Sequence, residues 1–160
     1  MKKLKLYIET STWNFVFADD SPEKMATTKE FFDLVRRGVY EIYISEVVQA
    51  EINRAPGGIK NKLSQLIEEI EPIVLKLTVE AENLAEIYIK RKIIPDKKVE
   101  DALHVAVATV EELDAVVTWN YKHLANIRKA ELFFGVNLEQ GFHKKVEIIT
   151  PWEVIGYVES

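Results

Sequence analysis

Five short apolar runs punctuate this chain, at residues 5–8, 40–44, 73–75, 115–118 and 146–149. Each is separated from the next by residues whose apolar positions recur at helical spacing. The fourth run, Ala115-Val116-Val117-Thr118, is apolar on both alternating faces. A strand of that kind cannot lie on a sheet with one wet face, and it belongs at the centre of a parallel sheet covered by helices. Strands alternating with helices predict an α/β chain, with a mostly parallel five-stranded sheet between two helical layers. The helical stretches fall at 27–37, 46–53, 59–70, 81–90, 98–111 and from 120 to about 129. Thr150-Pro151-Trp152-Glu153 carries a cap, an early proline and a box acid, and predicts one short final turn. Pro56-Gly57-Gly58 reads as a turn between two helices, so residues 1–160 are expected to form a single domain.

Composition removes whole classes of chemistry. There is no cysteine, which excludes disulfides, thiolate zinc sites, iron–sulfur clusters and cysteine nucleophiles. No Gly-x-Gly-x-x-Gly follows the first strand, no phosphate-binding lysine loop is present, and Ser11 and Ser45 lack a nucleophile-elbow context. The three histidines have no zinc spacing. The basic start, Met1-Lys2-Lys3-Leu4-Lys5, is soon followed by Glu9-Thr10-Ser11, so it reads as a strand and not as a leader. No apolar run is long enough to span a bilayer. A cytoplasmic protein without a membrane partner is expected. The net charge of −5 counts against a passive nucleic-acid coat. The basic runs Lys90-Arg91-Lys92, Lys97-Lys98 and Lys144-Lys145 read as solvated surface.

What remains is acidic. Glu9 closes the first strand and Glu51 borders the apolar stripe of the helix after the second. Asp101 opens the most apolar helix in the chain, Ala102 to Ala108. Sites in parallel α/β sheets form beyond the C-terminal strand ends, and all three acids can be delivered there. Grouped carboxylates without an organic catalyst favour a Mg²⁺ or Mn²⁺ site. Thr118 and Asn120 flank Trp119 at the exit of the fourth strand. Asn120 has two readings: the N-cap of the following helix, or a group that orients water or phosphate. Thr10, Ser11 and Asn14 are available to bond the carboxylate of Glu9 or the turn. Glu46 competes with Glu51 but sits where it stabilises a helix start. His104, on a buried helix, reads as hydrogen-bonded structure. Asp114 precedes its strand and is expected at the opposite end of the sheet. Trp13 to Phe17 is apolar and reads as core packing, a lid or a partner surface, packing being preferred.

The order of these blocks resembles the PIN-domain family, and within it the VapC-like toxin ribonucleases of prokaryotic toxin–antitoxin pairs. The resemblance spans nearly the whole chain. It rests on Tyr7-Ile8-Glu9-Thr10-Ser11, Ser45 to Ile52, Asp101 to Ala108, Leu113 to Asn126 and Thr150 to Ile155. It implies a three-layer Rossmann-like PIN fold and a cleft of acids binding Mg²⁺ or Mn²⁺. It further implies hydrolysis of RNA, a small antitoxin partner and a homodimer. Glu9, Asp101 and Glu51 would be the metal ligands, with Asn120 and Thr118 positioning water or phosphate. The first acid of the family is usually aspartate, and a fourth acid often stands where this chain has Asn120. Those two departures support a second reading, a catalytically weakened PIN-like protein that binds RNA or protein.

Overall fold

The computed structural model describes residues 2–159. Met1 and Ser160, the ends of the expected domain, lie outside the described residues. The elements run β1 (Lys5–Ile8), α1 (Thr10–Phe15), α2 (Pro22–Arg36), β2 (Glu41–Ser45), α3 (Glu46–Asn53), α4 (Gly57–Ile70), β3 (Ile73–Leu75), α5 (Val79–Lys90), α6 (Val99–Val110), β4 (Ala115–Val117), α7 (Ile127–Glu139), β5 (Glu147–Ile149) and α8 (Pro151–Glu159). The five strands form one sheet in the order β3-β2-β1-β4-β5, and every pair is parallel.

The sequence explains the order. β4 is wholly buried and pairs with β1, Leu6 facing Ala115 and Ile8 facing Val117. β3 sits at an edge, with Ile73 and Val74 almost half exposed. From β1 the chain winds outward to β2 and β3, then returns to build β4 and β5 on the other side. The winding reverses between β1 and β4, which opens a crevice at their C-terminal ends. Glu9 and Thr118 are the residues that leave those two strands.

The helices begin and end for local reasons. Ser45 caps α3 by accepting from Val47 N at 3.1 Å, and Thr78 caps α5 by accepting from Ala81 N at 3.2 Å. Gly38, at φ 76°, lets the chain turn out of α2 in the left-handed region that a side chain would strain. α6 buries Ala102 and every residue from His104 to Thr109, packing chiefly against α5.

Three expectations need correction. The helix expected from residue 27 starts at Pro22, because proline at the first helical position needs no N–H partner. The helix expected from Asn120 starts at Ile127, and its cap is Asn126, whose side chain accepts from Lys129 N at 2.9 Å. Residues 120–126 form turns instead. The expected short final turn is a nine-residue helix, opened by reciprocal bonds between Thr150 and Glu153. In the Trp13–Phe17 segment the packing reading holds for Trp13 and Val16, which are buried. The Trp13 indole also donates to Ile8 O at 3.1 Å.

Candidate active site

Glu9 is only 4 % exposed, and its place is fixed by its neighbours in sequence. It caps the helix that starts one residue later, with Oε1 accepting from Ser11 N at 3.1 Å. Ser11 Oγ donates to the same oxygen at 2.5 Å, and Thr118 Oγ1 donates to it at 2.6 Å. Ser11 Oγ also accepts from Trp119 N at 2.9 Å. The exits of β1 and β4 are thereby stitched together around one carboxylate. Three donors converge on Oε1, while Oε2 faces His104 Nε2 at 4.0 Å.

Glu51, half-buried on α3, accepts from Thr10 Oγ1 at 2.7 Å and meets His104 Nε2 at 2.6 Å through one oxygen. Burial pushes its carboxyl upward. The hydrogen bond and charge of His104, the Thr10 hydroxyl and Arg54 more than reverse that push, so the carboxyl titrates below its ordinary value. His104 is fully buried. Its Nδ1 lies 2.6 Å from the Tyr7 hydroxyl, which lies 2.7 Å from Ser45 Oγ. A carboxylate only accepts, so Nε2 donates to Glu51. In the neutral ring Nδ1 then accepts from Tyr7, and Tyr7 accepts from Ser45. The relay Ser45–Tyr7–His104–Glu51 satisfies each of these buried groups. Burial lowers the affinity of His104 for a second proton, but the bond to Glu51 and the charges of Glu9, Glu51 and Asp101 raise it overall. Burial, only partly offset by Ser45, drives the Tyr7 phenol well above its ordinary value, so it keeps its proton.

Asp101 occupies the first turn of α6, half-buried, where α6 N–H groups favour an anion. Burial first, and then the charge of Glu9, push its carboxyl up to about 6; Glu51 adds to this, and His104 and Lys98 oppose it. Asn120 Nδ2 donates to Asp101 Oδ2 at 3.3 Å, while Asn120 Oδ1 accepts from His123 N at 3.1 Å. Asn120 is therefore not the helix cap, which is Asn126, and its two side-chain atoms serve a turn and Asp101. The carbonyl closes a turn and the amide addresses the acid. Thr118 gives its one proton to Glu9 and accepts from Asn120 N at 3.0 Å, so it positions the carboxylate.

The predicted site residues thus meet at one end of the sheet. One ligand atom from each of Glu9, Glu51 and His104 lies within 4.8 Å of the others. Asp101 stands outside that tight trio, near enough for the charges of Glu9 and Glu51 to raise it. Both nitrogens of His104 are already bonded, which makes His104 the partner of Glu51. Among the described residues no lysine or arginine ion-pairs with Glu9, Glu51 or Asp101. Three hard carboxylates, with His104 bonded to one of them and no lysine or arginine ion-paired to any among the described residues, fit Mg²⁺ or Mn²⁺ by donor chemistry.

Other candidates fall away. Glu46 accepts from Leu77 N at 2.7 Å and ties α3 to the segment after β3. Asn14 is exposed and makes no side-chain hydrogen bond among the described residues. Asp114 lies at the far end of the sheet, accepting from Lys5 N and Lys144 Nζ, each at 2.8 Å. Sequence reasoning missed Tyr7, whose hydroxyl completes the relay. Its signal was a tyrosine between Leu6 and Ile8 in an otherwise apolar, buried strand, where a hydroxyl needs a partner.

Neither a protein-family profile nor a curated protein matches the chain. Solved structures do. The Mycobacterium tuberculosis VapC20 toxin, which cleaves the Sarcin-Ricin loop, aligns at 15% identity with a TM-score of 0.55, covering 74% of this chain and 92% of that one. A chain of FitAB bound to an IR36 DNA fragment aligns at 15% identity and TM-score 0.58, covering 92% of this chain and 95% of that one. A chain of Rickettsia felis VapBC2, bound to a promoter DNA fragment, aligns at 14% and 0.54, covering 91% and 98%. The likeness is one of fold, and the fold is that implied by the motif resemblance.

Proposed function

We propose that the protein is a divalent-cation-dependent endoribonuclease. The observation that supports this most is the approach of Glu9 and Glu51 at the switch point of the sheet, with Asp101 near enough to feel both charges and no lysine or arginine ion-paired to any of the three among the described residues. Glu9 and Asp101 are the residues that hold the cation, and Glu51 completes the set. Mg²⁺ or Mn²⁺ bound there supplies the Lewis-acid charge that makes water a nucleophile and offsets charge on the phosphoryl oxygens. Ser11 and Thr118 fix the Glu9 carboxylate, and the His104 relay fixes Glu51. The Asn120 amide steadies Asp101 through Oδ2. Among the described residues no helix is long and apolar enough to cross a membrane. A cytoplasmic location, a small antitoxin and a homodimer are further parts of this reading, since FitAB and VapBC2 are complexes with a second protein.

The test is cleavage of RNA by purified protein with Mn²⁺ or Mg²⁺, with EDTA, and with Asp101→Asn. Cleavage that needs the cation and disappears in the folded variant supports the proposal. RNA bound but left intact under every cation condition would reject it in favour of the catalytically weakened binding protein, the reading that neutral Asn120 favours.

A further inference from the structure

Of the basic runs singled out in the sequence, most members are neutralised in the fold. Lys90 pairs with Glu86, Arg91 with Glu139, Lys144 with Asp114 and Lys145 with Glu147. Lys92, Lys97 and Lys98 behave differently. None of them ion-pairs with an acid among the described residues, and the fold brings all three beside Lys122, His123 and Lys129, from the other side of the crevice. Two adjoining hollows share Pro95, Lys122 and His123. One, of about 420 Å³, reaches Lys92 and Lys129; the other, of about 690 Å³, reaches Lys97, Lys98 and Asn120. Together they form one groove, and Asn120, which lines the second hollow, bonds Asp101.

Charge confirms the clustering. His123 is held below its ordinary value by burial and then by Lys122, Lys98, Lys129 and Lys97, so four cations bear on one ring. Among the described residues lining the groove, Asp96 is the one carboxylate. On a chain of net charge −5, lysines without ion pairs gathered around one groove make a local positive field that draws anions. Lys92 is held there in a left-handed conformation, φ 59°, and Lys129 donates to the backbone carbonyl of Ile93, which fixes the floor. The groove is positive and open, and at Asn120 it borders the carboxylate cluster. Consecutive anions on one flexible strand match this layout, entering along the lysines and ending at the acids.

We propose that the groove formed by Lys92, Lys97, Lys98, Lys122, His123 and Lys129 is the track for the phosphate backbone of single-stranded RNA, delivering a phosphodiester to the carboxylates past Asn120. This rests on the ribonuclease reading for the identity of the strand. Its contacts are to phosphates, so it sets affinity and direction without reading base sequence.

Binding is measured in EDTA, where cleavage plays no part, with a fluorescent single-stranded RNA over a range of salt. Each phosphate–lysine contact contributes a slope of about −0.7 to log affinity against log salt. Lys97→Gln/Lys122→Gln is expected to reduce the slope by about 1.4 and to weaken binding at least about tenfold at low salt. Lys144→Gln/Lys145→Gln removes the same charge at the opposite end of the sheet and should leave affinity unchanged. Equal effects from the two pairs, or no change of slope in the first, would overturn the track. So would displacement of the RNA by polyglutamate as readily as by unlabelled RNA of equal charge. A lysine-dependent slope in a protein that cleaves nothing with Mn²⁺ supports the track while removing the ribonuclease reading.

Discussion

Two acids at opposite ends of the sheet, Asp114 and Asp101, meet opposite surroundings. At the N-terminal end Asp114 meets Lys144 and the backbone N–H of Lys5, and its carboxyl is held below its ordinary value despite partial burial. At the C-terminal end Asp101 meets burial and the charge of Glu9, and its carboxyl rises from 3.8 to about 6. The first acid has its counterion in the chain and serves the fold. The second is built at a cost to stability, which a bound cation would offset. Glu51 lies between the two cases: it is a candidate ligand, yet its bond to His104 holds its carboxyl below the ordinary value.

The largest test of this contrast is Asp101→Asn. Cation-dependent RNA cleavage should fall on the order of 10²–10³-fold, measured on protein whose circular dichroism is unchanged. Next comes the cation itself. At a concentration near 100 times its dissociation constant, Mn²⁺ should stabilise the wild type by about 2.7 kcal/mol, or roughly 5–10 °C in melting temperature, and Asp101→Asn should lose that response. A melting curve that ignores Mn²⁺ would erase the distinction between the two ends.

Stability against pH sharpens it further. Asp101 binds its proton more tightly folded than unfolded, so without a cation its contribution should fall as pH rises from about 3.8 to about 6. The loss is roughly 1–3 kcal/mol, discounted for partial exposure. Asp114 has the opposite sign: its contribution is present above about 3.8 and is lost as pH falls below that. Denaturant titrations of Asp101→Asn and Asp114→Asn at several pH values should show each variant flattening its own window. Tyr7→Phe removes the hydroxyl that orients His104 and should weaken Mn²⁺ binding by about tenfold, read by calorimetry. The smallest effect is expected from Asp114→Asn at neutral pH, about 1 kcal/mol of stability and no change in cleavage.

Much of this was legible from residue order. The apolar strands, the central place of β4 and the delivery of Glu9, Glu51 and Asp101 to one end follow from periodicity and from the rule that parallel sheets carry sites at their C-terminal ends. The turns after Asn120 were not legible, because Asn120 and Asn126 are equally good caps by type. Only the path of the chain out of β4 assigns the cap to Asn126. The link from His104 to Glu51 was hidden for another reason. Residues 53 positions apart carry no local pattern that announces a shared proton. The lysine groove was hidden in the same way, since Lys97 and Lys122 look like ordinary surface until α6 and β4 bring them to one hollow.

The stitching of Glu9 to Thr118 has a consequence for a chain emerging from the ribosome. The first carboxylate is made almost at once, but the hydroxyl that holds it arrives 109 residues later. Asp101 also arrives late, shortly before Thr118, so on the ribonuclease reading a product terminated before them would be harmless to the message being read. Competence would switch on late, within the few residues that carry the chain from β4 to Asn120.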